Sequence, residues 1–226
     1  MLLTSVGPFG RNVLSSSLEA VRLVVAEPPP GADLDTVELP CVFGDAITAL
    51  RRAIVGTEPD LVVATGQGGS RPDITVERVA INLDDAIGAD NAGNQRTDTP
   101  IVPDGPTAYF TTLPIKRCVA AIQEAGIPAT ISHTAGTFLC NHIAYGLAHL
   151  IATEFPRLRG GFVHIPFTPA QAAEREKRPS MASATAAEAL RVLITAALED
   201  LRDDRLPVEA GAGNGSKSWL SRKIRK

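Results

Sequence analysis

Cysteine is scarce in this chain: Cys41, Cys118 and Cys140 are an odd number with no CxxC spacing. A disulfide framework is therefore excluded, and reduced thiols in a cytoplasmic protein are expected. No apolar run reaches the ~18 residues that a membrane span needs. The opening "MLLTSVGPFG" lacks the basic and apolar regions of a secretion signal, so no membrane contact is expected. HExxH and a GK[ST] loop are missing too. "TGQGGSR" (65–71) follows a strand, but Arg71 occupies the position of the last glycine in a dinucleotide loop, which argues against a nucleotide. His133, His142 and His149 come without acidic partners in metal-ligand spacing and read as solvated or capping residues. No cofactor and no metal are expected.

Charge narrows the partners further. The net charge is −3. Lys217, Arg222, Lys223, Arg225 and Lys226 crowd the C-terminus after "EAGAGNGSKS", which reads as a flexible basic tail over 203–226 with Trp219 as a loose anchor. The remainder, 1–202, is then one domain more acidic than the whole, which disfavours nucleic acid. A chain of this length buries roughly 70% of its unfolded surface and needs no covalent staple.

What is present is an alternation of strands and helices. "MLLTSV" (1–6), "VELPCVF" (37–43), "DLVVATG" (60–66), "ITVERVAINL" (74–83), "IPATISH" and "GGFVHIPF" (160–167) read as strands. Helices are expected after Ser17, after Asp45 with Gly56 at the end, from Pro114 to about Glu124 with Gly126 closing, through 140–154, and along "SATAAEALRVLITAALEDL". Residues 85–108 are irregular and rich in Gly, Pro, Asn and Asp, a length of loop that is often functional. The pattern predicts an α/β protein, a three-layer α/β/α sandwich around an open, mostly parallel twisted sheet.

Ligands of such sheets bind beyond the carboxyl ends of the strands. Glu77, Cys140 and His164 fall at or near those positions. A thiol at a helix N-terminus meets unpaired N–H groups and the positive end of the helix dipole, which predicts a lowered pKa. A histidine to take its proton and a carboxylate to orient that histidine would complete a nucleophilic triad. From the residues alone a buried free cysteine, a core histidine and a salt-bridged glutamate stand as the other reading. Cys41 and Cys118 read as core thiols.

The blocks "ERVAINL", "DNAGNQ", "AYFTTLPIK", "EAGIPATISHTAGT", "TAGTFLCNHIAYGL" and "GFVHIPFTPAQ" closely resemble the pyrrolidone-carboxylate peptidases (pyroglutamyl peptidase I), cytosolic cysteine peptidases, over most of residues 1 to about 200. The resemblance implies removal of an N-terminal pyroglutamyl residue from peptides without a cofactor, and commonly a homotetramer. It implies Cys140 as nucleophile, His164 as base and Glu77 as the orienting acid. It places Arg71 at the arginine of a "GGR" block, where it would help the Cys140 amide bind the oxyanion. The substrate-binding residues it implies are Phe9, Gln67, Phe138 and Leu139. Two departures stand out: Val6 replaces the first phenylalanine of the family's "GFEPFGG", and its "NPS" is Ser15, Ser16 and Ser17 here. Losing an aromatic wall and an asparagine would weaken binding by about 1–2 kcal/mol. An altered loop leaves open a non-catalytic or re-purposed relative that takes another acyl or lactam group.

Overall fold

The computed structural model describes residues 1–10 and 13–205. Within them a six-stranded sheet runs in the order β2-β1-β3-β8-β4-β7. Its strands are β1 (Leu2–Val6), β2 (Asp35–Leu39), β3 (Leu61–Gln67), β4 (Ile74–Glu77), β7 (Ala129–Ser132) and β8 (Arg159–Ile165). Neighbours are parallel throughout except β4 and β8, which meet antiparallel with Thr75 opposite His164. A separate antiparallel pair joins β5 (Val79–Ile81) to β6 (Ala108–Phe110).

Period-two alternation divides the sheet into two faces. Leu3, Leu61, Val63, Ile74, Val76, Val163 and Ile165 pack under α1 (Ser16–Ala26), α3 (Ile115–Glu124) and α6 (Ser183–Arg205). Leu2, Val6, Val62, Ala64 and Phe162 pack under α2 (Asp45–Thr57) and α4 (Leu139–Thr153). The open, mostly parallel α/β/α sandwich is therefore as expected.

Several boundaries differ from the sequence reading. Ser15, not Ser17, caps α1, its hydroxyl accepting from Leu18 N–H at 3.4 Å. Gly44 rather than Asp45 precedes α2, and that helix continues past Gly56 to end on Glu58 in the left-handed region. The expected strand 37–43 lies at 35–39, so Cys41 falls in the turn before α2. "ITVERVAINL" is two strands, because the chain leaves the main sheet after Glu77, and Val79–Ile81 then pairs with β6. The short α5 (Pro169–Ala173) was not foreseen; Thr168 and Gln171 form its capping box. The long helix α6 runs to Arg205, past the expected domain end at 202. The rest of the basic tail, Trp219 included, lies outside the described residues.

Candidate active site

Alternation places three key positions on the α4 side of the sheet. His164 pairs with Gly66 across β8 and β3 and with Thr75 across β8 and β4. Glu77 is two residues beyond Thr75 and shares its face. The Glu77 Oε1 atom accepts the His164 Nδ1 hydrogen bond at 2.7 Å, with both side chains buried. This bond fixes the proton on Nδ1 and leaves the Nε2 lone pair as the basic site.

Cys140 arrives from the opposite layer as the second residue of α4. Its sulfur lies 3.0 Å from the point where a Gly66 Cβ would stand, directly beside the His164 strand. Only glycine at 66 leaves this space, which the Phe162 ring shares. The helix begins at Phe138, whose side chain cannot cap it. The first N–H groups of α4 thus have no intrahelical acceptor.

The charge state differs from the expectation. Burial pushes the Cys140 thiol up to about 12, with Cys41 and Glu77 adding to the rise and Arg71 opposing it. Desolvation thus opposes the lowering expected of a helix terminus. Burial also pulls His164 below its ordinary 6.5; the Glu77 bond and charge oppose that fall, and Arg71 assists it. Both shifts favour the neutral thiol and the neutral imidazole. Cys41 and Cys118, at about 11 and about 12 through burial, are inert core thiols as expected.

Arg71 stands beside the Glu77 carboxylate. Its Nη2 sits 3.0 Å from Glu77 Oε1 and donates to the Thr134 carbonyl at 2.7 Å. It thereby ties the His164 orienting carboxylate to the loop before α4.

Phe9 and Phe138 meet edge to face with centroids 4.9 Å apart. Leu139 is only 1% exposed and belongs to the core under α2 and α4. The Gln67 carboxamide oxygen accepts from the Ser16 N–H at 3.1 Å and from Gln171 Nε2 at 2.7 Å. Val6 packs in the core on the α2 and α4 side.

Two supports went unseen in the sequence. Phe43 packs edge to face on Phe138 at 5.4 Å, and Arg96 lies over the Phe43 ring at 5.1 Å. Asp90 accepts the Phe43 N–H at 2.8 Å, while Asn91 accepts from Gly10 N–H and donates to the Pro8 carbonyl, bracketing Phe9. His142, expected to be solvated or capping, is instead buried. Its ring bonds Asp84 at 2.9 Å and accepts the Gly44 N–H at 3.0 Å, while Arg96 pairs with Asp84. His149 bonds the Tyr109 hydroxyl at 3.0 Å. Among the described residues no cluster of His, Cys, Asp and Glu could hold a metal, and no helix is long and apolar enough to cross a membrane.

A thiol beside a carboxylate-oriented imidazole, at the start of a helix lying on an open α/β sheet, is the apparatus of a cysteine hydrolase. Comparison with known proteins makes the class specific. The family profile of pyroglutamyl peptidases matches residues 1–200. A pyrrolidone-carboxylate peptidase of Streptomyces coelicolor is 55% identical over 212 residues, covering 94% of this chain and 98% of its own. The crystal structure of Bacillus amyloliquefaciens pyroglutamyl peptidase I superposes with a TM-score of 0.85 at 42% identity, covering 88% of this chain and 96% of its own. A pyrrolidone carboxyl peptidase from Pyrococcus furiosus gives 0.82 at 36% identity, over 88% and 98%. The chain belongs to the pyroglutamyl peptidase family.

Proposed function

We propose that Cys140, His164 and Glu77 carry out the family's reaction here, removal of an N-terminal pyroglutamyl residue from peptides. The 2.7 Å bond from His164 to Glu77, beside a thiol seated over Gly66, is the observation that carries this reading.

Burial favours the neutral form of both groups, so proton transfer accompanies attack instead of preceding it. His164 Nε2 takes the Cys140 S–H proton as the sulfur adds to the pyroglutamyl carbonyl carbon. Glu77 steadies the imidazolium that forms. The oxyanion is met by main-chain N–H groups at the uncapped start of α4, that of Cys140 first. His164 then gives its proton to the peptide nitrogen as the C–N bond breaks, leaving a thioester. Water, deprotonated by His164, adds to the thioester carbonyl. The sulfur leaves, is reprotonated, and free pyroglutamate departs.

The ring lies between Phe9 and Phe138, with Phe43 backing Phe138. Gln67, the last residue of β3 and next to Gly66, supplies a polar contact to the lactam. Leu139 contributes through its main chain, and Arg71 acts by holding Glu77. Reduced thiols support a cytoplasmic location. A homo-oligomer, as the family resemblance implies, would cover exposed side chains such as Phe110.

The test is release of a fluorophore from a pyroglutamyl amide under reducing conditions. Wild type turns over, and Cys140→Ser and Cys140→Ala lose at least about 10³-fold in kcat. Substantial residual turnover in either variant would remove Cys140 from the reaction.

A further inference from the structure

We infer that Asn141 is a positioning residue for the nucleophile, a clamp that fixes the first turn of α4 to the stretch of chain that carries Glu77; its effect on turnover rests on the peptidase reading above. Asn141 follows Cys140 and is the third residue of α4. It is only 1% exposed. Its Oδ1 accepts the Ile81 N–H at 3.0 Å, and its Nδ2 donates to the carbonyls of Ile81 and Leu83, each at 2.9 Å.

The partners fix which end of the amide is which, because a main-chain N–H can only donate and a main-chain carbonyl can only accept. Both Nδ2 hydrogens are therefore in use. At Ile81 the carboxamide takes the N–H and gives a donor to the C=O, the exchange that a neighbouring antiparallel strand would make. The strand β5 pairs with β6 on one side, and that small sheet has no third strand. Asn141 thus covers the open edge of β5, whose buried polar groups need partners.

What the clamp holds in register is the triad. Glu77 closes β4, and only Arg78 separates it from β5, where Ile81 is the last residue. Three hydrogen bonds and a short length of chain therefore connect the nucleophile to the carboxylate that orients its base. The seat of Cys140 over Gly66 is a contact made separately. The residues on either side are tied further along the chain. Thr137 exchanges bonds with Asp85, and His142 bonds Asp84 at 2.9 Å. Of these three, Asn141 alone reaches β5. Phe138 keeps its edge contacts with Phe9 and Phe43 whatever stands at 141. Loss of the clamp should therefore misplace the sulfur and spare the slot.

The experiment measures kcat and KM on a pyroglutamyl fluorogenic amide beside thermal unfolding. Asn141→Leu keeps the approximate size and removes all three bonds. Its kcat is expected to fall about 10- to 100-fold, the scale of a misplacement approaching 1 Å, with KM within about twofold. Asn141→Asp keeps an acceptor for the Ile81 N–H, so its kcat should lie between that of Asn141→Leu and wild type. Wild-type kcat in Asn141→Leu would overturn the inference. So would a KM rise at constant kcat, which would assign the clamp to the slot, or an Asn141→Asp enzyme no faster than Asn141→Leu, which would leave the Ile81 bond without a part. If Asn141→Leu melts below the assay temperature, Asn141→Ala decides, since it removes the carboxamide without apolar bulk. It must show the same kcat loss at near-constant KM, and wild-type kcat there overturns the assignment. Absence of turnover by wild type is a separate result, failing the peptidase reading itself.

Discussion

Replacing Gly66 by alanine tests the seat of the nucleophile with a single methyl group. The added Cβ would stand 2.6 Å from Phe162 Cζ and 3.0 Å from Cys140 Sγ. Gly66 does not have positive φ, so its backbone accepts alanine. Loss of unfolded-chain entropy would then favour the variant by about 0.4–1 kcal/mol. Overpacking opposes this by about 1–3 kcal/mol. The higher part of that range applies, because Phe162 is 1% exposed and has no free volume to enter. The net loss of about 1–2 kcal/mol corresponds to a fall of roughly 2–8 °C in Tm for a domain of this size. At 25 °C the variant remains folded, yet the sulfur is pushed off the strand that carries His164's partner. A displacement approaching 1 Å costs up to about 10²-fold in rate, so kcat should fall about 10- to 100-fold. The assay is fluorophore release beside a thermal melt, with Gly56→Ala as control. Gly56 lies on an exposed helical face where a Cβ meets nothing, so that variant should keep kcat and gain stability. A Gly66→Ala enzyme with wild-type kcat would show that Cys140 does not sit against β3.

Three other substitutions probe the dyad and the slot. Activity requires neutral His164, so it falls as pH drops through the His164 pKa, which burial holds below 6.5. Glu77 opposes that depression, so Glu77→Gln should move the acid limb of kcat to lower pH while reducing its plateau by about 10²–10⁴-fold. Arg71 reinforces the depression, so Arg71→Met should move the limb to higher pH; limbs shifting in the same direction would refute the assigned electrostatics. Asn91→Ala removes both bonds that bracket Phe9, and KM should rise about three- to tenfold with kcat held. A kcat loss instead would mean that the bracket serves the nucleophile.

The fold was legible because its strands are short apolar runs between clear helical periods, and the triad because each member stands at an element end. What the text of the chain conceals is contact between distant residues. Nothing around His142 announces Asp84 and Gly44, 58 and 98 positions away. Phe43 gives no sign of its packing on Phe138, nor Gln171 of its bond to Gln67, 104 residues off. Arg71 is six residues before Glu77, but only the turn between β3 and β4 brings its guanidinium onto the carboxylate. The Ser15–Ser17 departure misleads in the other direction. It reads as the loss of an asparagine and a proline, whereas the structure shows a donor gained: Ser16 has an N–H to give Gln67, and proline has none.

The resting protonation state has a further consequence for the chemistry. Reading the helix N-terminus alone suggests a standing thiolate, but a thiolate and imidazolium together would place two charges where burial raises the cost of each. Because the thiol is pushed up and the imidazole down, separation of charge becomes favourable only as the carbonyl oxygen takes negative charge against the N–H groups of α4. Nucleophile and oxyanion site are then coupled through the substrate: the sulfur ionises where an acyl group is already seated and not otherwise. The unoccupied enzyme should therefore react slowly with small alkylating agents for a catalytic cysteine, while a pyroglutamyl group bearing an electrophilic carbon, carried into the slot by Phe9, Phe138 and Gln67, should modify Cys140 far faster. Equal rates for the two reagents would mean that the thiolate preexists and that burial does not govern the site.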